Sequence, residues 1–405
     1  MSRRSAVCVL LICALGVAGC GCAPIATSSA ETKASVTDSS GGGLEISPAE
    51  TSSETSSETS SAETTATPDV LEPVDIAGGT ASPERCATWA APVETGKVDN
   101  DKLSELSGLA ASHTHAGLLW THNDSGEKKA WIYGLDAKGH HFATLRLKGI
   151  DPDDWEDIAV GPCGGGAGTG RAGTGADCIV VADTGDNGHK RDDIQLLRIA
   201  EPAKLPTARI DDERIPRDRI DNAAVEVITV RYPKRKDLSG RARKEVEHAD
   251  VEALAVLPDG RLLLLDKRDD GTSNVYRVTP PAVNDGVPVI AEVIGALDLR
   301  DGALKTGASL RVTGADLSRD GRWLLVRCYF RIYLFDVGDA LSAPAATAQS
   351  ALAALTPTSG KREILKGGFD TQGEAITFAP KGGFWHTSEG IGQPLWFVGC
   401  ATQRP

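Results

Sequence analysis

Three glutamates open apolar segments at recurring places in the chain: Glu156, Glu252 and Glu374. Asp157 follows the first of them, and Asp183 closes the next apolar run, Cys178 to Ala182. Carboxylates are hard oxygen donors, and several aimed at one point suit Ca²⁺ or Mg²⁺. Crowded acids repel one another unless a cation offsets them. Glu156, Asp157, Asp183, Glu252 and Glu374 are therefore the candidate metal ligands, and calcium is the expected ion. Carboxylates around a metal could also position a water and act as general base. A second set of polar residues stands at the ends of apolar runs: His122, Asn123, Asp124, Asp186, Asn187, Lys267, Arg268, Arg327, Tyr329 and Glu389. These are the candidate ligand-binding residues. The same pattern has a structural reading. Short Asp, Asn and Gly residues at strand ends form turns, recurring glutamates can hydrogen-bond neighbouring repeats, and Asp151 to Asp154 reads as a solvated loop. There is no G-x-S-x-G elbow, H-E-x-x-H or P-loop, so no residue is assigned a catalytic role.

The elements that must position these residues form a repeat. Ser107-Gly108-Leu109-Ala110, Glu156-Asp157-Ile158-Ala159, Glu252-Ala253-Leu254-Ala255, Thr313-Gly314-Ala315-Asp316 and Glu374-Ala375-Ile376-Thr377 occupy one position of it. A turn, an apolar strand ending in polar residues and a further strand follow each copy. Such a radial β-repeat predicts an all-β chain folded as a β-propeller. Five blades is the first reading and six the second. The wide gap between 157 and 253 has room for a loop insertion or a degenerate blade, and residues 86 to 98 could add an outer strand to the last blade. In a propeller the innermost strand starts on the face where the next strand ends. Both residue sets then converge on one funnel.

The N-terminus reads differently. Arg3 and Arg4 precede the apolar run Val7 to Val17, which ends in Val17-Ala18-Gly19-Cys20. The run is short for a membrane span and has the order of a signal peptide. Residues 1–19 are expected to be a lipoprotein signal, with Cys20 acylated and the chain held at the extracytoplasmic face of the cell membrane. Residues 20–82 are rich in Ser, Thr, Glu and Ala, and carry ten acids against Lys33. With so little apolar surface they are expected to form a disordered tether with a reach of roughly 45 Å. Residues 83–405 form the expected propeller domain. The chain carries a net charge of −13. That balance argues against nucleic acid or anionic headgroups as partners. The expectation is a monomer that binds a small molecule or a protein.

Nine cysteines are present. Export permits disulfides. Cys163 and Cys178 bracket a glycine-rich excursion and are expected to pair. Cys86 and Cys400 lie at the two ends of the domain, where a bridge would staple a closed ring. Cys328, inside a strand-like run, is expected to be a buried free thiol. No C-x-x-C pair occurs in the domain, which speaks against a thiolate zinc site.

Glu105-Leu106-Ser107-Gly108-Leu109, Thr121-His122-Asn123-Asp124-Ser125-Gly126, Trp155-Glu156-Asp157-Ile158-Ala159 and Ala182-Asp183-Thr184-Gly185-Asp186-Asn187 resemble motifs of a secreted bacterial propeller family without assigned activity. The resemblance spans most of 84–402. More distantly, the domain is similar to phytase-like esterase and lactonase-type propellers. That likeness implies a calcium-supported hydrolase, but their full catalytic set is not present and none of it is carried over. Two functions follow as expectations: a lipid-anchored binding propeller using its top funnel, or a calcium-dependent hydrolase of phosphate esters or lactones.

Overall fold

Inner and second strands are buried on both faces, most apolar in Leu262–Asp266 (LLLLD), while Leu119–Asn123 (LWTHN) and Phe384–Ser388 (FWHTS) turn polar toward their ends. A strand of that kind needs packing partners above and below, and stacked blades supply them. The computed structural model describes residues 85–401 except 125–128, 165–176, 206–219, 222, 237–241, 247, 282–283, 303 and 357. Cys20 and the expected signal sequence and tether lie outside the described residues.

The domain is an all-β propeller of five blades. Blade 1 runs Leu106–Ala111, Leu119–Asn123, Trp131–Leu135 and His141–Arg146. Blade 2 runs Trp155–Pro162, Asp177–Asp183, Ile194–Ala200 and Val225–Arg231. Blade 3 comprises Val251–Val256, Leu262–Asp266, Thr272–Val278 and Glu292–Asp298. Blade 4 comprises Val312–Leu317, Trp323–Cys328, Arg331–Asp336 and Arg362–Leu365. Blade 5 takes Gly373–Phe378, Phe384–Ser388 and Pro394–Val398 from the end of the domain. Its outer strand, Val93–Lys97, comes from the beginning and pairs antiparallel with Pro394–Val398. The wide gap between 157 and 253 is accounted for by the fourth strand of blade 2 and a side hairpin, Lys234–Lys236 with Ala242–Val246. It adds no sixth blade among the described residues.

Among the described residues five apolar clusters lie one at each blade interface. Leu265, Val326 and Phe335 join blades 3 and 4. Leu196, Leu254 and Tyr276 join blades 2 and 3, and Trp120, Ile158 and Val181 join blades 1 and 2. Leu109, Tyr133 and Leu395 join blades 5 and 1, and Leu325, Ile376 and Phe384 join blades 4 and 5. Full burial of each such side chain contributes about 1.5–3 kcal/mol.

Ring closure is covalent as well as hydrogen-bonded. Cys86 is bonded to Cys400 across 314 residues of sequence, and Cys163 to Cys178 across 15. Cys328 is free and buried, with burial pushing its thiol up to about 12. These are the expected pairings. Replacing Cys86 and Cys400 together by serine should cost about 2–5 kcal/mol, because the open chain regains the entropy of a very long loop. Chemical denaturation measures this; an unchanged midpoint would show that strand pairing alone closes the ring.

Candidate functional site

Every inner strand begins with a β-bulge, and the bulge explains where the glutamates point. In blade 2, Trp155 pairs with Asp183 and Asp157 with Ala182, so Glu156 is the extra residue. In blade 3, Val251 pairs with Asp266 and Ala253 with Leu265, which makes Glu252 the extra residue. Glu374 in blade 5 and Thr313 in blade 4 have the same place, and blade 1 shifts register across Ser107 and Gly108. A bulged residue leaves the ladder and re-aims its side chain.

Two acid trios result among the described residues, and they share Glu156. Asp124, Asp154 and Glu156 form one; Glu156, Asp250 and Glu252 form the other. In each, one carboxylate oxygen per residue lies within 4.8 Å of the others. Asp154 and Asp250 stand two residues before Glu156 and Glu252, and Gln372 stands two before Glu374. Asp154 therefore belongs to the funnel. Its reading as part of a solvated loop is corrected, because the 153–154 backbone is tied down by Asp183 rather than free.

Gly185 forms a wall of this cradle. A Cβ at that position would lie 1.9 Å from Glu156 Oε1 and 2.5 Å from Asp154 Oδ2. Only a residue without a side chain lets the carboxylates converge there. Lys267 supplies a positive charge: its Nζ touches Glu252 Oε1 and lies 3.6 Å from Asp250 Oδ2. Asp250 Oδ1 also accepts the Asp186 N–H at 2.8 Å, which ties blade 2 to blade 3.

The electrostatics follow from burial and crowding. Burial raises the Glu156 carboxyl well above the ordinary range, and Glu252, Asp124 and Asp154 push it the same way. Burial lifts Glu252 to about 7, against the pull of Lys267. Asp124 is raised to about 8 by burial and then by Asp154. Glu374 is raised by burial and by the charges of Glu252 and Glu389. Burial opposes the charge on Lys267, but Glu252 and Asp250 outweigh it and hold the ammonium above its usual value. Such a set holds protons or cations in place of bare charge.

Other sequence candidates are placed differently. Asp157 is fully buried, and its carboxylate is engaged by backbone. Oδ1 accepts the Ile158 N–H at 2.8 Å, while Oδ2 accepts those of Leu254 at 2.8 Å and Ala315 at 3.2 Å. It staples blades 2, 3 and 4 at the axis and is part of neither trio. Asp183 accepts from Arg191 at 2.8 Å and from the N–H groups of Asp153 and Asp154, so it orients the loop carrying Asp154. Asp186 accepts the N–H groups of Lys190 and Arg191 in a turn, and Asn187 beside it is exposed. Asn123 binds backbone at Glu105 and Lys102. His122 is buried, with its pKa lowered by burial to about 4, and meets Trp155 edge-on. Arg268 turns outward to Asp270 at 2.6 Å.

On the blade 4–5 side, Arg327 is buried against Asp370, which also accepts from His386 Nδ1 at 2.8 Å. His386 Nε2 accepts the Gly368 N–H at 3.0 Å, so the ring is the neutral Nδ1–H tautomer. Gln372 joins Glu374 Oε1, at 3.1 Å, to Glu389. Tyr329 borders the same space; its phenol is raised by burial and then by Glu374.

Sequence reasoning missed Asp154, Asp250, Gly185, Gln372 and Asp370 as functional positions. The spacing Asp154-Trp155-Glu156, Asp250-Val251-Glu252 and Gln372-Gly373-Glu374 carried a signal for three of them, a polar residue two before each glutamate.

No protein-family description matches the chain, and no curated protein is similar to it at a significant level. Solved structures similar to it include the PQQ-bound aldose sugar dehydrogenase of Streptomyces coelicolor, at 11% identity over 78% of this chain and 100% of that one, with a TM-score of 0.36. A glucose dehydrogenase matches at 10% identity over 77% of this chain and 100% of its own, with a TM-score of 0.39. The Cps50 (Swd1) β-propeller domain of Myceliophteria thermophila matches at 13% identity over 73% and 84%, with a TM-score of 0.34. Likeness at this level says nothing of ligand or reaction.

Proposed function

We propose that this chain is a binding propeller whose funnel takes a divalent cation, with calcium the ion its oxygen donors suit. The observation that carries this is the convergence of Asp124, Asp154 and Glu156 against Gly185. Calcium takes 6–8 oxygen ligands, so one trio leaves coordination positions for oxygens of a ligand. Phe330, Phe369 and Ile391 are exposed in connections on the same face, and they would offer apolar contact to a small-molecule or protein partner. The proposal includes a lipid anchor at Cys20, which would hold the funnel at the extracytoplasmic face of the membrane. Cys20→Ala should release the chain from the membrane fraction or leave it unprocessed; a processed mutant that stays membrane-bound would remove the anchor from the proposal.

Millimolar calcium should raise the melting temperature through preferential binding to the folded state. Glu156→Gln and Gly185→Ala should each abolish most of that rise, the first by removing a charge common to both trios, the second by filling the cradle. A melting curve indifferent to calcium, together with no bound metal, would defeat the reading. The hydrolase reading draws on Glu252, which is buried beside Glu156 and Asp250 in contact with Lys267; burial lifts its carboxyl to about 7, where it could exchange a proton at neutral pH. Calcium-dependent turnover of a phosphate ester or lactone, lost in Glu252→Gln, would establish it over simple binding.

A further inference from the structure

The two trios differ in what neutralises them. The Glu156–Asp250–Glu252 trio contains an ammonium group of the chain itself, Lys267 Nζ, in contact with Glu252 and 3.6 Å from Asp250. Among the described residues no ion pair reaches Asp124 or Asp154. The nearby Arg191 is engaged with Asp183 at 2.8 Å and Asp153 at 3.6 Å. A further acid faces this funnel. Glu374, 4% exposed, occupies the bulge position equivalent to Glu156 and Glu252, and its Oε2 has no partner among the described residues. After burial, the charges it feels most are Glu252 and Glu389.

We infer that the funnel contains two cation positions sharing Glu156, and that Lys267 is a built-in counter-ion filling one of them, so that a divalent ion enters only at Asp124, Asp154 and Glu156. This rests on the reading of the funnel as a cation site. The physical reason is competition for the same oxygens. A lysine ammonium is a compact point charge on a flexible stem, and where it touches Glu252 and approaches Asp250 it occupies the place a second ion would need. Lys267 then sets the metal stoichiometry, and Gly185 shapes the position that remains for metal.

The test is calorimetric titration of the full chain with calcium chloride. The wild-type chain should bind one ion. Lys267→Met should bind two, because Asp250 and Glu252 lose their neutralising charge. Glu252→Gln should still bind one ion, within about threefold of the wild-type affinity, since it leaves the Asp124–Asp154–Glu156 position intact. One ion of unchanged affinity in Lys267→Met, or loss of all binding in Glu252→Gln, overturns the inference. If Lys267→Met does not fold, Glu252→Gln decides. If the wild-type chain binds no calcium, the proposed function fails by itself. Binding that appears only in Lys267→Met would then still uphold Lys267 as the built-in counter-ion, and binding in neither would overturn that as well.

Discussion

Asp157→Ala should destabilise the propeller by roughly 3–9 kcal/mol, the largest stability loss expected of any single side chain in the channel. The carboxylate accepts N–H groups of Ile158, Leu254 and Ala315, one from each of three blades, at a point with no access to water. Removing it strands three buried donors, each costing about 1–3 kcal/mol. Against a total stability of about 5–15 kcal/mol, that would leave a substantial unfolded population. Asp157→Asn keeps an acceptor oxygen and should lose less, and its melting temperature should still rise with calcium. Denaturant midpoints measure the first effect and calcium-dependent melting the second. An Asp157→Ala midpoint close to wild type would show that the staple is dispensable. A folded Asp157→Asn protein blind to calcium would return Asp157 to the metal ligands.

The second large effect is a reversal of pH dependence by calcium. Glu252 moves from 4.5 to about 7 and Asp124 from 3.8 to about 8 on folding, in both cases first through burial. Below about pH 3 both carboxyls are neutral in the folded and unfolded chain, so neither opposes folding. As pH rises above that, the unfolded chain releases these protons while the fold retains them. Through these two acids the metal-free protein loses stability between about pH 5 and pH 8, on the order of 3 kcal/mol from Glu252 alone, while His122 and His386, held neutral by burial, contribute in the opposite sense up to about pH 6.5. Acids held low by arginine partners, such as Asp270 beside Arg268 and Asp298 beside Arg300, contribute in the opposite sense only at lower pH. Calcium must displace protons from the site it enters. Its affinity should climb about tenfold per pH unit for each proton displaced. Scanning calorimetry at fixed ionic strength should show the metal-free melting temperature falling from about pH 7, where the buried histidines no longer contribute, to pH 8.5, and millimolar calcium closing or inverting that difference. A metal-free melting temperature that rises over the same range would mean that these acids are ionised in the fold.

The sequence alone determined a propeller and its closures, and left five or six blades for the structure to decide. Five copies of one motif announced the blades, because strands packed between neighbouring blades are largely apolar and end in polar and turn residues. Chain ends that meet in a ring placed Cys86 beside Cys400 and drew Val93–Lys97 into the last blade. Glu156, Glu252 and Glu374 were legible as a set because they recur at one repeat position. Which acids share a point was decided by the tertiary structure. Neighbours along one strand go to different places: Glu156 is thrown out of the ladder by a bulge, while Asp157 beside it is captured by the N–H groups of Leu254 and Ala315, distant in sequence. Asp183, legible as a metal ligand, instead orients the loop, and Asp154, legible only as a loop acid, enters the trio. Gly185 reads as a turn residue until the carboxylates it admits are seen around it. A strand's alternation fixes only which face a residue is on; bulges and contacts between blades fix where its side chain ends, and both depend on residues far away in the chain.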